Sequence, residues 1–85
     1  MQTTQGYSSK SEVDIVIQVD VLLDEQNRHR IEYYLLKVTG IMRVQFDKFR
    51  QQLLIIGYDS AQTDSSTILK HINQQRLNAR LIVGM

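Results

Sequence analysis

The stretch VDIVIQVDVLLDEQNRHRIEYYLLKVTGIMRVQF, residues 13–46, changes its hydrophobic period twice along its length. Aliphatic residues alternate with mostly polar ones over residues 13–21, which is the pattern of a half-buried strand. From Ile31 the apolar residues recur three and four positions apart, which predicts a helix packed on a sheet, and Gly40 suits the left-handed turn that often ends one. Alternation of apolar and polar residues then returns over residues 41–46 and predicts a second strand. Its inward-facing residues are expected to be Met42, Val44 and Phe46.

The rest of the chain continues this pattern with two more strands and a second helix. The segment QLLIIGY, residues 52–58, alternates again, and the polar DKFRQ before it is expected to be a hairpin connection. Capping residues precede a helix over about residues 66–76, and ARLIVG is predicted to be a fourth strand with Leu81 and Val83 on one face. The element order predicts an α+β domain, a ferredoxin-like βαββαβ sandwich, with a four-stranded antiparallel sheet and both helices on one face.

The length, amino-acid composition and charge of the chain exclude several classes of function. The 85 residues suit one small domain, expected over residues 13–85, and the polar, aperiodic residues 1–12 are expected to be a flexible tail. The chain has no cysteine, which excludes disulfides, a thiolate nucleophile and a thiolate metal site. The net charge of +1 is spread without a block of like charge, and no apolar run approaches the length of a membrane span. We therefore expect a cytoplasmic protein with neither nucleic acid nor membrane as partner.

Four groups of residues have a spacing that is shared with a known family. They are Ile31-Glu32-x-x-Leu35, Gly40-Ile41-x-x-Val44-x-Phe46, Leu54-x-Ile56-x-Tyr58-Asp59 and Ile68-x-x-x-Ile72. Over about residues 15–83 the chain resembles the heavy-metal-associated domain of copper chaperones and metal-transporting ATPases. The resemblance implies the same ferredoxin-like fold.

The resemblance also implies where a metal would bind. The family holds its metal in a Met-x-Cys-x-x-Cys loop between the first strand and the first helix, and the spacing puts Leu22 in place of the Met and Asp24 and Asn27 in place of the cysteines. Monovalent copper needs soft sulfur donors, which these residues lack, so we expect neither a metal nor another cofactor. Asp24 and Asn27 are instead expected to cap the helix. The alternative is a harder ion, such as magnesium, manganese or zinc, held by Asp24, Asn27 and His29.

Several exposed side chains are candidates for contact with a protein. Tyr34 is expected in the core, so the adjacent Tyr33 should be partly exposed. Phe49 lies in a charged hairpin where no core face predicts it, and its ring could either meet a partner or fold back onto its own sheet. Basic residues along the first helix would form a patch for an acidic partner, or else an ordinary solvated face. The contact residues are expected to be Arg28, Arg30, Tyr33, Lys37 and Phe49.

The sequence favours a binding function over catalysis. Two separated histidines and one serine-rich stretch do not make a triad, and the chain lacks the glycine-rich phosphate loop and following arginine of the small acyl-phosphate hydrolases that share this fold. We expect a non-catalytic, metal-independent interaction or regulatory module that binds a protein partner or a second copy of itself. The alternatives are a metal-binding or metal-transport-related domain that uses Asp24, Asn27 and His29, and a regulatory domain that binds a small ligand.

Overall fold

The computed structural model describes residues 12–83 of the chain. The elements are β1 (Glu12–Gln18), α1 (Glu25–Leu36), β2 (Ile41–Phe46), β3 (Leu53–Asp59), α2 (Ser65–Asn73) and β4 (Arg80–Val83). This order confirms the predicted βαββαβ arrangement. The expected tail lies outside the described residues apart from Glu12, which belongs to β1. No helix of the described part is long and apolar enough to cross a membrane.

The four strands form one antiparallel sheet in the order β2-β3-β1-β4. Alternate side chains of each strand point to opposite faces, so one face of the sheet can be buried under the two helices. The central strands β1 and β3 supply most of the buried side chains of the sheet, and each helix adds two. The fully buried large residues are Ile15, Ile17, Val19, Leu35, Leu54, Ile56, Ile68 and Ile72. None of the polar or charged residues among residues 12–83 is buried.

Two strand irregularities change which residues face the core. The register of β2 against β3 shifts between Ile41 and Arg43, and such a shift adds a residue to one strand. Ile41 is therefore buried at 8% exposure whereas Met42 is 43% exposed, so the prediction that Met42 faces inward is wrong. The inward positions of Val44 and Phe46 are confirmed.

A second shift lies between β1 and β4. Leu81 is opposite Ile17, which faces the core, whereas Val83 is opposite Val16, which faces away from the helices. Residues that are directly opposite each other in a sheet share a face. The prediction that Leu81 and Val83 lie on one face is therefore wrong, because the register changes between them.

The second helix is shorter than predicted at its carboxyl end. It ends at Asn73, three residues before the expected Arg76, and the chain then turns through two residues with positive φ, Arg76 at 61° and Asn78 at 50°. Neither conformation can continue a right-handed helix. Asn78 is a residue type that tolerates this region.

Asp64 caps the amino end of α2 and should make the stability of the domain depend on pH. Its Oδ1 accepts the backbone N–H of Thr67 at 2.8 Å, and hydrogen bonds from Thr67 lower the pKa of Asp64. A folded-state pKa below the unfolded value stabilises the native state above the unfolded pKa, and this contribution disappears as the pH falls through the folded pKa. Asp64→Asn keeps a capping side chain without the titration. We expect the difference in urea midpoint between the two proteins to change between about pH 6 and about pH 2; a constant difference would contradict this role.

Candidate functional site

The corner between β1 and α1 is where the family resemblance places a metal loop. Asp24 has an extended backbone and is the N-cap of α1, since its Oδ1 accepts the backbone N–H of Asn27 at 2.8 Å. Glu25 follows in the first turn, where a negative charge stabilises the positive end of the helix. The prediction that Asp24 caps the helix is confirmed. Asn27 is not itself the cap but supplies the N–H that the cap accepts.

His29 is directed along the surface of α1. Its Nδ1 lies 3.2 Å from Glu32 Oε1, and its Nε2 lies 3.7 Å from Glu25 Oε2. The Nδ1 contact is within hydrogen-bond distance, and the ring lies between two carboxylates of the helix. Asp24 meanwhile uses a carboxylate oxygen in the cap. Among residues 12–83 no group of three or more histidine, aspartate or glutamate side chains is arranged to hold a metal ion.

The predicted basic residues of α1 do not form one patch. Arg28 turns back toward the fold, where its Nη1 donates to Leu23 O at 2.5 Å and to Gln51 Oε1 at 3.3 Å. Arg30 is exposed and lies about 200° further around the helix. Lys37, the C-cap residue of α1, follows Arg30 by seven residues and so lies on nearly the same face, about two turns further along. Arg28 is therefore the cation that is separated from the other two.

Two large apolar side chains are exposed on neighbouring loops at one end of the sheet. Phe49, in the β2–β3 hairpin, is 94% exposed, and Leu22, in the β1–α1 loop, is 74% exposed. We call Leu22, Phe49 and Arg50 the loop-end surface. They line one groove, whose remaining lining residues are Gln18, Gln51, Gln52 and Leu53. The exposure of Phe49 decides between its two alternatives, since the ring does not fold back onto the sheet. The resemblance gives Leu22 only the place of a metal ligand, although an aliphatic residue in a polar loop is itself a signal of contact.

The hairpin holds Phe49 in its exposed position through hydrogen bonds. Asp47 Oδ2 accepts the backbone N–H of Phe49 at 3.0 Å and that of Arg50 at 2.8 Å. Aspartate commonly fixes a turn in this way. The aromatic ring is thus presented by an ordered turn.

Hydrogen bonds join the segment after β1 to the β2–β3 hairpin beside the groove. Val19 N donates to Gln52 O at 2.9 Å, and Gln52 Nε2 donates to Val19 O at 3.2 Å. Arg28 adds the link to Gln51 described above.

Tyr33 is the other predicted aromatic contact, and it is 73% exposed on α1. It lies in a separate shallow depression with His29, Glu32 and Leu36. Glu32 fixes this part of the helix to the sheet, because its Oε2 accepts the backbone N–H of Phe46 at 3.0 Å. Tyr33 therefore belongs to a surface distinct from the groove of Phe49.

No protein-family model matches the chain, and no curated protein matches it in sequence. Solved structures do match. A copper-binding domain from HMA7, a P-type ATPase, has a TM-score of 0.76 and 15% identity, with 85% of this chain and 96% of that chain covered. The N-terminal domain of a potential copper-translocating P-type ATPase from Bacillus subtilis, in the Cu(I)-loaded state, has a TM-score of 0.75 and 14% identity, with 87% and 91% covered. The fold is that of the heavy-metal-associated domain.

Oxidized MerP from Ralstonia metallidurans CH34 extends this similarity, with a TM-score of 0.72 and 14% identity over 82% of this chain and 96% of that chain. At identities this low, the structural similarity shows the fold alone. Whether a metal could bind must be judged from the residues of this chain. The chain contains no cysteine, and its loop after β1 has Asp24 and Asn27 where the resemblance places the two metal-binding cysteines. The shared fold thus carries a different set of side chains at this corner.

Proposed function

We propose that this domain is a non-catalytic, cytoplasmic protein-interaction module that functions without a bound metal and contacts its partner through the loop-end surface. The observation that carries the proposal is the exposure of Phe49 and Leu22 on two loops that are hydrogen bonded to each other. Single exposed apolar residues are common on protein surfaces. A pair that lines one ordered groove is a stronger indication of a binding surface.

The energetics of such a surface favour protein contact. Aromatic residues are enriched at the centres of interfaces, where one or a few side chains contribute most of the affinity. Phe49 offers nearly its whole ring for burial, and Asp47 already orders the turn that carries it. An ordered surface loses less conformational entropy on binding, so more of the contact energy appears as affinity.

Charge indicates the chemistry of the partner. Arg50 is the charged residue among those that line the groove, and none of the described lining residues carries a carboxylate. An arginine beside apolar side chains suits a segment with a hydrophobic anchor next to an acidic residue. We therefore infer a partner segment of that composition.

Metal independence is supported by the chemistry of the β1–α1 corner. Its oxygen and nitrogen donors are not the soft ligands that monovalent copper prefers. Asp24 and His29 are each engaged with neighbouring atoms of α1, and Asp24 stabilises the helix through this contact. Withdrawing Asp24 to bind an ion would remove a cap that contributes about 1 kcal/mol in typical proteins.

The proposal is tested by comparing partner recovery with three forms of the domain. The wild type, Phe49→Ala and Tyr33→Ala are each used to capture proteins from the source cells, and recovery is quantified by mass spectrometry. We expect the same partner with the wild type and Tyr33→Ala, and at least about a tenfold loss with Phe49→Ala, because truncation of an aromatic anchor typically costs more than 1.4 kcal/mol. Tyr33→Ala is the control because it removes another large, exposed aromatic residue from a different surface.

Adding a chelator to the same capture tests the metal part of the proposal. Equal recovery with and without chelator is expected. Recovery that Phe49→Ala leaves unchanged would contradict the proposed surface, and recovery that the chelator abolishes would contradict metal independence. The two parts of the proposal can therefore fail separately.

A further inference from the structure

The face of the sheet opposite the helices, which we call the open face, has an apolar band across its middle. Val16 of β1 is opposite Ile55 of β3 on one side and Val83 of β4 on the other. Val16 and Ile55 are half-buried, and Val83 is 51% exposed. Gln45 of the edge strand β2 is opposite Ile55 and continues the same row. Three aliphatic side chains thus form one row that crosses three strands.

One end of the open face is acidic. Arg43 Nη2 lies 2.5 Å from Glu12 Oε2 and 2.5 Å from Asp14 Oδ1. The arginine reaches them by crossing Gly57, where an added Cβ would lie only 2.6 Å from Nη2. Asp59 is opposite Glu12 and adds a third carboxylate. Three carboxylates and one guanidinium leave this end negative at neutral pH.

The other end keeps a net positive charge, with two arginines against one carboxylate, that of Asp20, whose Oδ2 accepts a hydrogen bond from Asn78 Nδ2 at 3.1 Å. Arg80 of β4 is opposite Gln18 of β1, and on its other side Gln18 is opposite Leu53. Arg50 lies at the same end, in the groove that Gln18 and Leu53 line. Neither Arg50 nor Arg80 forms an ion pair within residues 12–83. The open face therefore runs from negative to positive along the strand direction, with the apolar band between.

We infer that the open face packs against the open face of a second copy of this chain, in a two-fold dimer whose axis lies in the interface and runs across the strands. Rotation about that axis reverses the strand direction of the partner. Arg80 of each copy then faces the end of the other copy that carries Glu12 and Asp14, and the two apolar bands meet at the centre. A two-fold axis along the strands would instead place ends of like charge together, which is unfavourable. The same surface pairs with itself, as in isologous dimers.

The size of the open face sets the strength of this association. Four strands at their usual spacing, each a few residues long, give a face of roughly 20 Å by 20 Å. This is smaller than the area of about 800 Å² per partner in a standard stable interface, so we expect a reversible dimer that is populated only at high protein concentration. The inference goes beyond the proposed function, and a monomer would leave the loop-end surface unaffected.

Because the chain has no cysteine, single introduced cysteines can report the geometry. Val83→Cys and Gln45→Cys place a thiol at each side of the central row, on β4 and β2, without changing any charge. Each variant is treated with a short bismaleimide, alone and in a mixture of the two. The inferred dimer brings β4 over β4 and β2 over β2, so we expect each variant to cross-link with itself. Tyr33→Cys, on the helical side, is the control and should stay monomeric.

Other arrangements give other patterns. Cross-linking only in the mixture would show an axis along the strands, and cross-linking of Val83→Cys alone would show pairing of the β4 edges; either pattern overturns the inference. A monomer in sedimentation up to about 1 mM would also overturn it. Arg80→Glu should lower the association constant of the dimer about tenfold, because the contact of Arg80 with the acidic end occurs twice in the dimer. No effect of Arg80→Glu would contradict the stated orientation.

Discussion

Replacement of Gly40 by alanine should lower the free energy of unfolding by about 2–4 kcal/mol, which corresponds to a fall of about 10–25 °C in Tm for a domain of this size. Gly40 has φ of +92°, a conformation that side chains rarely adopt. An added Cβ would lie 2.8 Å from Thr63 Cγ2 and 3.1 Å from Gln62 Cβ. The backbone cannot easily move away, because Gly40 O accepts the N–H of Asp59 at 2.7 Å. Thermal unfolding followed by circular dichroism measures the loss.

Gly57→Ala is the matched control, since it adds the same methyl group to the same fold. Gly57 has no positive φ, and its added Cβ would meet chiefly the guanidinium of Arg43, at 2.6 Å, which is the mobile end of an exposed side chain. We expect a loss below about 1 kcal/mol, because the arginine can swing aside and alanine is less costly than glycine in a strand. Equal losses for the two variants would contradict the strained turn at Gly40.

Ile17→Ala should also have a large effect, a loss of about 2–5 kcal/mol. Ile17 is fully buried on the central strand β1, where its neighbours across the sheet are Leu54 and Leu81. Removing its side chain takes away apolar contacts and leaves a cavity that the surrounding sheet and helices fill only in part. Urea unfolding measures the change in midpoint.

The control for this substitution is the adjacent residue on the same strand. Val16 points to the open face and is half-buried, so Val16→Ala should cost less than about 1 kcal/mol. Alternation along the strand is the reason for the contrast. If both variants lose the same stability, the assignment of the two faces of β1 is wrong.

Hydrophobic periodicity was sufficient to predict the element order, because most of the strands alternate regularly. It failed at Met42 and at the pair Leu81 and Val83, where a shift in strand register adds or removes a residue. A shift of this kind depends on how two strands pair, and the period of one strand does not contain that information. The predicted length of α2 was too great because the residue type of Arg76 gives no sign of the positive φ that it adopts after the helix.

The candidate site was predictable only in part. Capping by Asp24 followed from its residue type and its place before a helix. The charged surroundings of Phe49 left open whether its ring is exposed or folds back onto the sheet, and the structure has it exposed. The link from Arg28 to Gln51 joins residues 23 positions apart, so no local pattern could show that the arginine faces the hairpin. For the same reason the groove between Leu22 and Phe49 became visible only when the sheet brought the two loops together.

The open face illustrates the same limit. Alternation along β1 placed Asp14 and Val16 on one side, but their neighbours on that side come from three other strands. The charge gradient exists because strand pairing sets Asp59 beside Glu12 at one end of this face. At the other end it sets Arg80 beside Gln18. Pairing of the strands in space therefore supplies the surface on which dimerisation is inferred.

The corner after β1 caps a helix, and we propose that the domain acts through protein contact without a metal. The most direct test is an amide NMR titration with copper(I), zinc(II) and magnesium(II) that follows residues 22–31. We expect no saturable shift of these amides with any of the three ions, because Asp24 remains hydrogen bonded to Asn27. Saturable shifts confined to the segment from Asp24 to His29 would contradict it and would establish a metal site made of oxygen and imidazole ligands.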